Sequence, residues 1–272
     1  MPELPEVETI ARGLAKRIAG DVIESVWLGS KPEPLKSSAA DIEQALHAKK
    51  ILDVRRSGKH IVFDLGKPET SVGGAGTQWI VHLGMTGQLL VCPAESELAK
   101  HTHAVLRLVS GRELRFIDPR RFGRLAVREN FTPPGSEPLT ISDADFTALF
   151  RGRKTPIKSA LLNQKLLSGV GNIYADEALY RAGVRPRRRA ISLTAEELRR
   201  LHKALRQVLR EAIRLGGSSI SDYVDSDGEE GFFQLKHRVY GREAKPCRKC
   251  ATAIKRVVIA GRSSHYCPKC QK

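Results

Sequence analysis

The chain has 272 residues, a formal net charge of +16 and five cysteines. This length predicts two folded domains. No apolar run approaches the roughly 20 residues of a membrane span, and the first residues are acidic where a signal peptide is basic, so we expect a cytosolic protein. Residues 1–150 hold 19 Lys and Arg against 19 Asp and Glu, whereas residues 151–272 hold 27 against 11. The basic second half predicts a polyanionic partner, and nucleic acid is the one it favours.

The chain begins Met1-Pro2-Glu3. If Met1 is removed, a secondary amine lies beside a carboxylic acid. A chain-terminal amine titrates near ~8 and a lysine near ~10.4, so much more of the terminal amine is unprotonated at neutral pH. An unprotonated amine is a nucleophile towards carbonyl and sugar carbons. The pair is a candidate catalytic centre, and an ordinary stiff chain terminus is the alternative.

The first half of the chain predicts one helix followed by strands. Residues 5–18 begin with a proline and repeat apolar side chains at helical spacing, which predicts a helix with one buried stripe. Short β-rich runs over residues 22–127 predict a sandwich or a barrel. A helix near residues 39–48 is expected between strands. The glycine-rich stretch 68–76 predicts a surface loop.

Three further motifs in this half could carry function. The run Asp118-Pro119-Arg120-Arg121-Phe122-Gly123 places two guanidinium groups beside an aromatic ring at a predicted turn. In a DNA-binding protein such a group can unstack a base pair and fill the vacated space. Core packing is the alternative for Phe122, and it is also the default for Met85 in His82-Leu83-Gly84-Met85. Lys59 is by default a solvated surface charge.

The second half predicts helices. Prolines between residues 130 and 138 predict a linker. A glycine turn at Gly169-Val170-Gly171 precedes a helix that Gly183 ends, and Asn172 is suited to cap it and to present amides to phosphate. Thr194 and Glu197 form a capping box that begins a long amphipathic helix. The polar stretch 218–231 predicts a loop.

Four cysteines are clustered near the C-terminal end. Cys247 and Cys250 form one knuckle, and Cys267 and Cys270 form a second. Four thiolates at this spacing predict a closed tetrahedral zinc site, which folds the segment and performs no catalysis. A β-hairpin is expected between the knuckles. Arg262 would lie at its tip, where it is a candidate DNA contact; a solvated turn is the alternative.

Together these motifs resemble one family. The start Pro2-Glu3-Leu4-Pro5-Glu6, the His82 and Asp118 motifs, the Gly169 turn and the four cysteines, in this order, resemble bacterial formamidopyrimidine-DNA glycosylase. The resemblance runs from end to end. The related endonuclease VIII branch usually begins with Pro-Glu-Gly-Pro-Glu, so Leu4 favours the purine-lesion branch.

The resemblance implies a bifunctional base-excision repair enzyme that acts on double-stranded DNA. It would remove 8-oxoguanine and ring-opened purines and then cleave the abasic strand by β,δ-elimination through a Schiff base on Pro2. Glu3 would protonate the sugar ring oxygen, Lys59 would hold a phosphate and assist the eliminations, and Glu6 would support the active site.

The resemblance also implies the DNA contacts. Asn172 and Arg262 would hold phosphates, Met85, Arg120 and Phe122 would fill and read the vacated stack, and Arg121 would contact the backbone. A lesion-capping loop would contain Ser218, Ser219, Ile220, Ser221, Asp222 and Tyr223.

The implied fold class is α+β. A catalytic N-terminal helix and β-sandwich would occupy residues 1–130, with a linker at 131–140. A helical domain with the helix-two-turns-helix motif would cover 141–240 and include the capping loop at 218–231, and a four-cysteine zinc-finger hairpin with one Zn²⁺ would cover 241–272. The protein would be a monomer of the bacterial cytoplasm, associated with the nucleoid. A glycosylase for oxidised pyrimidines and a non-catalytic zinc protein that binds DNA are the two alternatives.

Overall fold

The structure is a computed structural model that describes residues 1–69, 76–220 and 223–272. Most of the loop predicted at 68–76 lies outside these ranges. Contacts divide the chain into two compact units. Unit 1 comprises Met1–Thr132 and Gly216–Gly231, and unit 2 comprises Pro133–Leu215 and Phe232–Lys272.

Unit 1 combines two helices with eight strands in its described residues. In chain order these are α1 Leu4–Ile18, β1 Ile23–Leu28, α2 Ala39–Leu46, β2 Lys50–Ser57, β3 His60–Gly66, β4 Thr77–His82, β5 Gln88–Pro93, β6 Thr102–Leu108, β7 Arg112–Ile117 and β8 Arg124–Glu129. The strands form two four-stranded antiparallel sheets, in the orders β1-β6-β7-β5 and β2-β3-β4-β8. The helices predicted at 5–18 and 39–48 are confirmed within two residues.

One hydrophobic core joins both sheets to α1. The helix contributes its apolar stripe, including Val7 and Leu14, and the two sheets contribute large side chains such as Trp79 and Phe116. All four side chains are almost completely buried. Because each sheet presents one apolar face to this core, unit 1 is a β-sandwich with a helix packed against it.

Two of the connections that pass from one sheet to the other are neighbours. The connection from β4 to β5 and the connection from β7 to β8 each leave one sheet and enter the other. The strand ends pair: His82 lies opposite Arg124, and Gln88 lies opposite Ile117. The two connections therefore run side by side at the same end of the sandwich.

Unit 2 is mainly helical. Its described elements are α3 Asp143–Phe150, α4 Ile157–Leu161, α5 Asn172–Ala182, α6 Ala195–Arg214, β9 Lys255–Ile259 and β10 Arg262–Tyr266. The capping box predicted at the start of α6 is present, with Thr194 and Glu197 bonded reciprocally. Gly183 ends α5 in the left-handed conformation, as its position predicts. Strands β9 and β10 form the expected antiparallel hairpin.

These elements confirm the α+β fold class. The sandwich and N-terminal helix precede the helical part, and the cysteine-bearing hairpin follows it. Among the described residues, no helix has the length and apolar character needed to cross a membrane.

Candidate active site and nucleic-acid interface

The start of α1 is a buried cluster of polar groups. Pro2 is buried, and so are the side chains of Glu3 and Glu6. Glu3 precedes the helix in an extended conformation. The Glu6 carboxylate folds back so that Oε2 accepts the Glu3 N–H at 2.8 Å. This bond satisfies one of the amides that a helix start leaves unpaired and fixes the backbone next to Pro2.

The second oxygen of Glu6 binds the segment predicted as the lesion loop. Glu6 Oε1 accepts the Ser218 N–H at 2.8 Å. Gly217 has φ +84°, and a Cβ atom there would lie 2.9 Å from both Cγ and Oε1 of Glu6. The Tyr223 hydroxyl donates to the Gly216 carbonyl at 2.9 Å and lies 3.4 Å from the Glu6 carbonyl. The Glu6 carboxylate therefore joins the N-terminus to the first residues of this segment.

The rest of the predicted lesion loop is described in part. The Ser219 hydroxyl donates to the Tyr223 carbonyl at 3.0 Å and accepts the Gly231 N–H at 2.9 Å. Burial, followed by the nearby Glu6 charge, raises the pKa of Tyr223, which keeps its hydroxyl a donor. Ile220 is exposed. The predicted loop residues Ser221 and Asp222 lie outside the described residues.

Lys59 lies in the two-residue turn between β2 and β3, where Ser57 pairs with His60. Its side chain is largely buried. Arg56 is the second-last residue of β2. It donates to Glu8 Oε2 at 2.6 Å and to the Gly58 carbonyl at 3.1 Å. Because Glu8 belongs to α1, this ion pair ties the Lys59 turn to the helix that begins beside Pro2.

The candidate wedge residues occupy the two connections between the sheets. We call residues 83–87 the Met85 turn and residues 118–123 the Arg120 turn. Met85 and Phe122 are 41% and 53% exposed although both are large and apolar. The Arg120 guanidinium carbon lies 4.8 Å from the centre of the Phe122 ring, within cation–π range. The fold thus brings these three predicted DNA contacts to one end of the sandwich.

Arg121 points to a different partner. It adopts φ +57°, a left-handed conformation that is uncommon for residues other than glycine. Its guanidinium forms an exposed ion pair with Glu33, at 2.7 Å. Such an exposed pair contributes little to stability.

His82 holds the Met85 turn from the end of β4. Its Nδ1 lies 3.1 Å from the Gly84 N–H, so Nδ1 is the acceptor and the ring is neutral. Burial lowers the pKa of His82 to about 4, and the charges of His60, Arg124 and Lys59 act in the same direction. The sequence interpretation quoted His82 within a motif but gave it no role.

In unit 2, Asn172 and the hairpin that carries Arg262 lie close together. Gly171, and not Asn172, is the N-cap of α5, so the predicted capping role of Asn172 is wrong. Gly171 makes no side-chain bond and leaves the first amides of the helix to other partners. The Asn172 amide nitrogen lies 3.4 Å from the Ser263 hydroxyl. Arg262 is exposed and is the first residue of β10, one position beyond the turn where it was expected.

A buried charged cluster docks the hairpin onto α5. Lys158 and Asp176 are both almost completely buried and form an ion pair at 2.6 Å. Lys158 also donates to the Ser263 carbonyl at 2.6 Å, and Asp176 accepts the His265 N–H at 2.8 Å. The same carboxylate oxygen lies 3.3 Å from the His265 ring nitrogen. Asn172 and Arg262 are therefore held on one connected scaffold.

The neighbouring acid, Glu177, holds the chain that leads into the zinc segment. Its carboxylate accepts the backbone N–H groups of Arg238, Val239 and Tyr240 at 2.9–3.0 Å. Burial raises the pKa of Glu177, and these hydrogen bonds oppose the rise. Sequence reasoning missed both acids of α5. The available signal was an Asp-Glu pair between apolar residues of the helix, where each buried acid needs donors.

The four predicted zinc ligands converge. The Sγ atoms of Cys247, Cys250, Cys267 and Cys270 all lie within 4.8 Å of one another. Tetrahedral coordination with Zn–S bonds of about 2.3 Å separates the sulfurs by about 3.8 Å. Measured separations of 3.4, 3.5 and 3.9 Å fit this geometry. Four thiolates leave no ligand position open, so the group suits one structural zinc ion.

Comparisons with known proteins cover the whole length of the chain. The family model described as the formamidopyrimidine-DNA glycosylase N-terminal domain matches residues 1–125, the H2TH domain of the same family matches 134–224, and the zinc finger found in FPG and IleRS matches 244–272. A formamidopyrimidine-DNA glycosylase from Solibacter usitatus is 46% identical over 277 residues, which cover 100% of both chains.

Solved structures agree with these matches. The Lactococcus lactis Fpg in complex with DNA containing an abasic site has a TM-score of 0.88 and 31% identity, with 99% of each chain covered. A MutM complex with DNA containing carbocyclic 8-oxo-G has a TM-score of 0.87 and 32% identity over the full length of both chains. The chain belongs to the formamidopyrimidine-DNA glycosylase family.

Proposed function

We propose that this DNA glycosylase removes oxidised purines, 8-oxoguanine and formamidopyrimidines, from double-stranded DNA and then cleaves the strand as an abasic-site lyase. The observation that carries the proposal is the buried Pro2-Glu3 pair at the start of α1, fixed by the Glu6 bond to the Glu3 N–H. Relatives bound to abasic-site DNA and to 8-oxo-G DNA support the substrate class.

The proposed reaction starts from the amine that removal of Met1 would create. The lone pair of the Pro2 nitrogen attacks the anomeric carbon, and the bond to the damaged base breaks with its electron pair on the base. The attacking nitrogen then loses its N–H proton, and the departing base gains one proton. Glu3 protonates the sugar ring oxygen, the ring opens and an iminium forms. The iminium acidifies the adjacent C–H, and loss of that proton expels the 3′ phosphate. A second elimination expels the 5′ phosphate. Only an amine adduct can become an iminium, so no hydroxyl or carboxylate can replace Pro2.

Lys59 is proposed to hold a phosphate and to assist the eliminations. Its turn is tied to α1 through the Glu8–Arg56 pair, which supports a fixed position for its ammonium group. Asn172 and Arg262 are proposed as phosphate contacts of unit 2, and Met85, Arg120 and Phe122 as the residues that fill the space left by the flipped nucleotide. Helix starts and arginines commonly bind phosphate in this way.

The proposed domain limits remain 1–130 for the catalytic region, 131–140 for the linker, 141–240 for the helical region and 241–272 for the zinc hairpin. One structural zinc ion, held by the four cysteines, stabilises the hairpin that carries Arg262. We further propose that the protein acts as a monomer on bacterial chromosomal DNA in the cytoplasm.

Strand incision on lesion duplexes tests the function. Duplexes with 8-oxoguanine opposite cytosine should be incised faster than matched duplexes with an oxidised pyrimidine, and the product ends should carry phosphate on both sides of the gap. Faster incision at the pyrimidine would favour the oxidised-pyrimidine glycosylase. Tight binding without incision would favour a non-catalytic DNA-binding protein.

A further inference from the structure

One buried carboxylate bonds to both turns that carry the candidate wedge residues. Asp118 is completely buried at the start of the Arg120 turn. Its Oδ2 accepts the Gly123 N–H at 2.7 Å, and its Oδ1 accepts the Arg120 N–H at 3.3 Å. The same Oδ1 accepts the hydroxyl of Thr86, in the Met85 turn, at 2.6 Å. The carboxylate therefore spans the Arg120 turn from start to end and reaches across to the other turn.

The backbone of Asp118 is fixed as well. Its N–H donates to the His101 carbonyl at 3.0 Å, and its own carbonyl lies 3.0 Å from Nε2 of His103, a buried ring. Burial of a carboxylate costs several kcal/mol unless donors replace its water, and here three donors surround the side chain. The fold thus places a charged group where an apolar residue would be easier to bury.

Close packing joins the same two turns independently. Gly84 in the Met85 turn has φ +64°, and a Cβ atom there would lie 2.5 Å from the Gly123 nitrogen and from the Phe122 carbonyl carbon. The two backbones are therefore in direct contact, with no room for a side chain between them. His82 Nδ1 holds Gly84 from the other side.

We propose that Asp118 is a positioning residue that makes Met85, Arg120 and Phe122 one rigid wedge. This inference rests on the proposed function, in which these side chains fill the vacated stack. Separation of stacked bases costs a few kcal/mol per step, so a wedge on mobile turns would be pushed back when it enters the duplex. The carboxylate and the Gly84 contact couple the two turns, so that the three side chains resist displacement by the base stack as one unit.

The wedge acts only in duplex DNA, where the bases around the vacated space must be kept stacked. Incision at an abasic site in single-stranded DNA needs the amine but no wedge. The ratio of the single-turnover incision rate in duplex DNA to that in single-stranded DNA therefore isolates the wedge. General damage to the fold would lower both rates together and leave the ratio unchanged.

Thr86→Val is the central variant, because it replaces the hydroxyl that bonds to Asp118 by a methyl group and keeps the side-chain shape. A hydrogen bond to a charged group contributes about 1.5–3 kcal/mol, so we expect the ratio to fall about 10-fold or more, at 1.4 kcal/mol for each factor of ten. Thr86→Ser, which keeps the hydroxyl, should stay within about two-fold of the original protein. Asp118→Asn should lower the ratio at least as far as Thr86→Val, since an amide offers one acceptor where the carboxylate offers two.

Gly84→Ala tests the coupling without any change to Asp118. Its matched control is Gly111→Ala, because Gly111 has φ +82° but, within the described part of the chain, no atom beyond its chain neighbours lies within 4 Å of the place that a Cβ atom would take. Both variants carry the cost of a left-handed alanine, and only Gly84→Ala presses the two turns apart. We expect the ratio to fall for Gly84→Ala alone.

The positioning role is overturned if Thr86→Val leaves the ratio unchanged or if Thr86→Ser lowers it equally. Phe122→Ala separates this failure from failure of the wedge itself. If Phe122→Ala lowers the ratio while the Thr86 and Gly84 variants do not, the wedge exists but Asp118 does not position it. If Phe122→Ala also leaves the ratio unchanged, the wedge in the proposed function is wrong.

Discussion

Replacement of Gly217 by alanine should break the hydrogen bond between the Glu6 carboxylate and the Ser218 N–H, which joins the catalytic N-terminus to the start of the predicted lesion loop. Alanine in a left-handed conformation costs roughly 1–2 kcal/mol, and Gly216→Ala carries the same cost at φ +74°. The two sites differ in their neighbours. Among the described residues, a Cβ atom at Gly216 meets only the Gly231 Cα, at 3.5 Å, whereas at Gly217 it meets Cγ and Oε1 of Glu6 at 2.9 Å. Only Gly217→Ala therefore pushes the Glu6 carboxylate from the Ser218 N–H.

The size of the effect follows from the bond that is lost. A hydrogen bond to a charged group contributes about 1.5–3 kcal/mol, which corresponds to about 10-fold to 150-fold in rate if it is needed in the transition state. Glu6 also accepts the Glu3 N–H, so its displacement should slow both base excision and abasic-site incision. Single-turnover rates on an 8-oxoguanine duplex and on a preformed abasic duplex measure the two steps. Gly216→Ala should reduce neither rate by more than about two-fold.

Glu6→Gln supplies a double-mutant test of the same link. Glu3 and Ser218 donate to different oxygens of Glu6, and an amide has an acceptor oxygen at only one of these two positions, so Gln cannot keep both bonds as they stand. If Gly217→Ala acts through Glu6, the double variant should be no slower than Glu6→Gln alone, because the shared bond can be lost only once. Equal rates for Gly216→Ala and Gly217→Ala, or additive effects in the double variant, would show that Gly217→Ala does not act through Glu6.

Three further outcomes concern zinc, the buried ion pair and acid. Metal analysis should find about one zinc per chain. Cys250→Ser should weaken DNA binding before it slows the chemical steps. Retained zinc and unchanged DNA binding in this variant would contradict a structural role for the zinc. Lys158→Met should lower the free energy of unfolding by about 3–5 kcal/mol, because Asp176 remains buried without its cation, whereas a loss below about 1 kcal/mol would show that the pair is dispensable. His82 has a folded pKa of about 4 against about 6.5 unfolded, so its stabilising effect is complete above pH 6.5 and is lost as pH falls towards 4, at about 1.4 kcal/mol per pH unit. In urea unfolding, His82→Asn should shrink the stability difference between pH 7 and pH 5 by about 2 kcal/mol, and His47→Asn, at an exposed histidine, should leave it unchanged.

Local patterns in the sequence predicted the helices and the zinc ligands well. The apolar stripe of α1 and the capping box at Thr194 depend on residues three or four apart, and both are present in the structure. The knuckle spacing likewise predicted the cysteine group. In each case the chemistry is decided by neighbours in sequence, so one chain is enough to find it.

Contacts between distant segments were not predictable in this way. The Glu6 carboxylate meets Ser218 across 212 positions, and no local pattern encodes that bond. The same holds for Asp118, whose partner Thr86 lies 32 positions away. Ser218 lies near Glu6 because residues 216–231 return to unit 1. Thr86 lies near Asp118 because the β4–β5 and β7–β8 connections both pass between the sheets at the same end of the sandwich.

The burial of Lys158 is another feature that the sequence alone does not show. A lysine near a helix start is expected to be solvated, but this one is almost completely buried because Asp176 and the Ser263 carbonyl receive its charge. Lys59, given the same default, is also largely buried. Whether a charged side chain is solvated depends on partners that the folded chain brings to it.

The nucleophile proposed for this enzyme is the amine of Pro2, which attacks the sugar. Borohydride reduction during reaction with an 8-oxoguanine duplex, followed by peptide mass analysis, locates the covalent adduct. We expect a chain without Met1, one DNA adduct on Pro2, no adduct for Pro2→Gln and a normal adduct for the neighbouring control Pro5→Ala. An adduct on Lys59 or another lysine, or an active chain that keeps Met1, would contradict it.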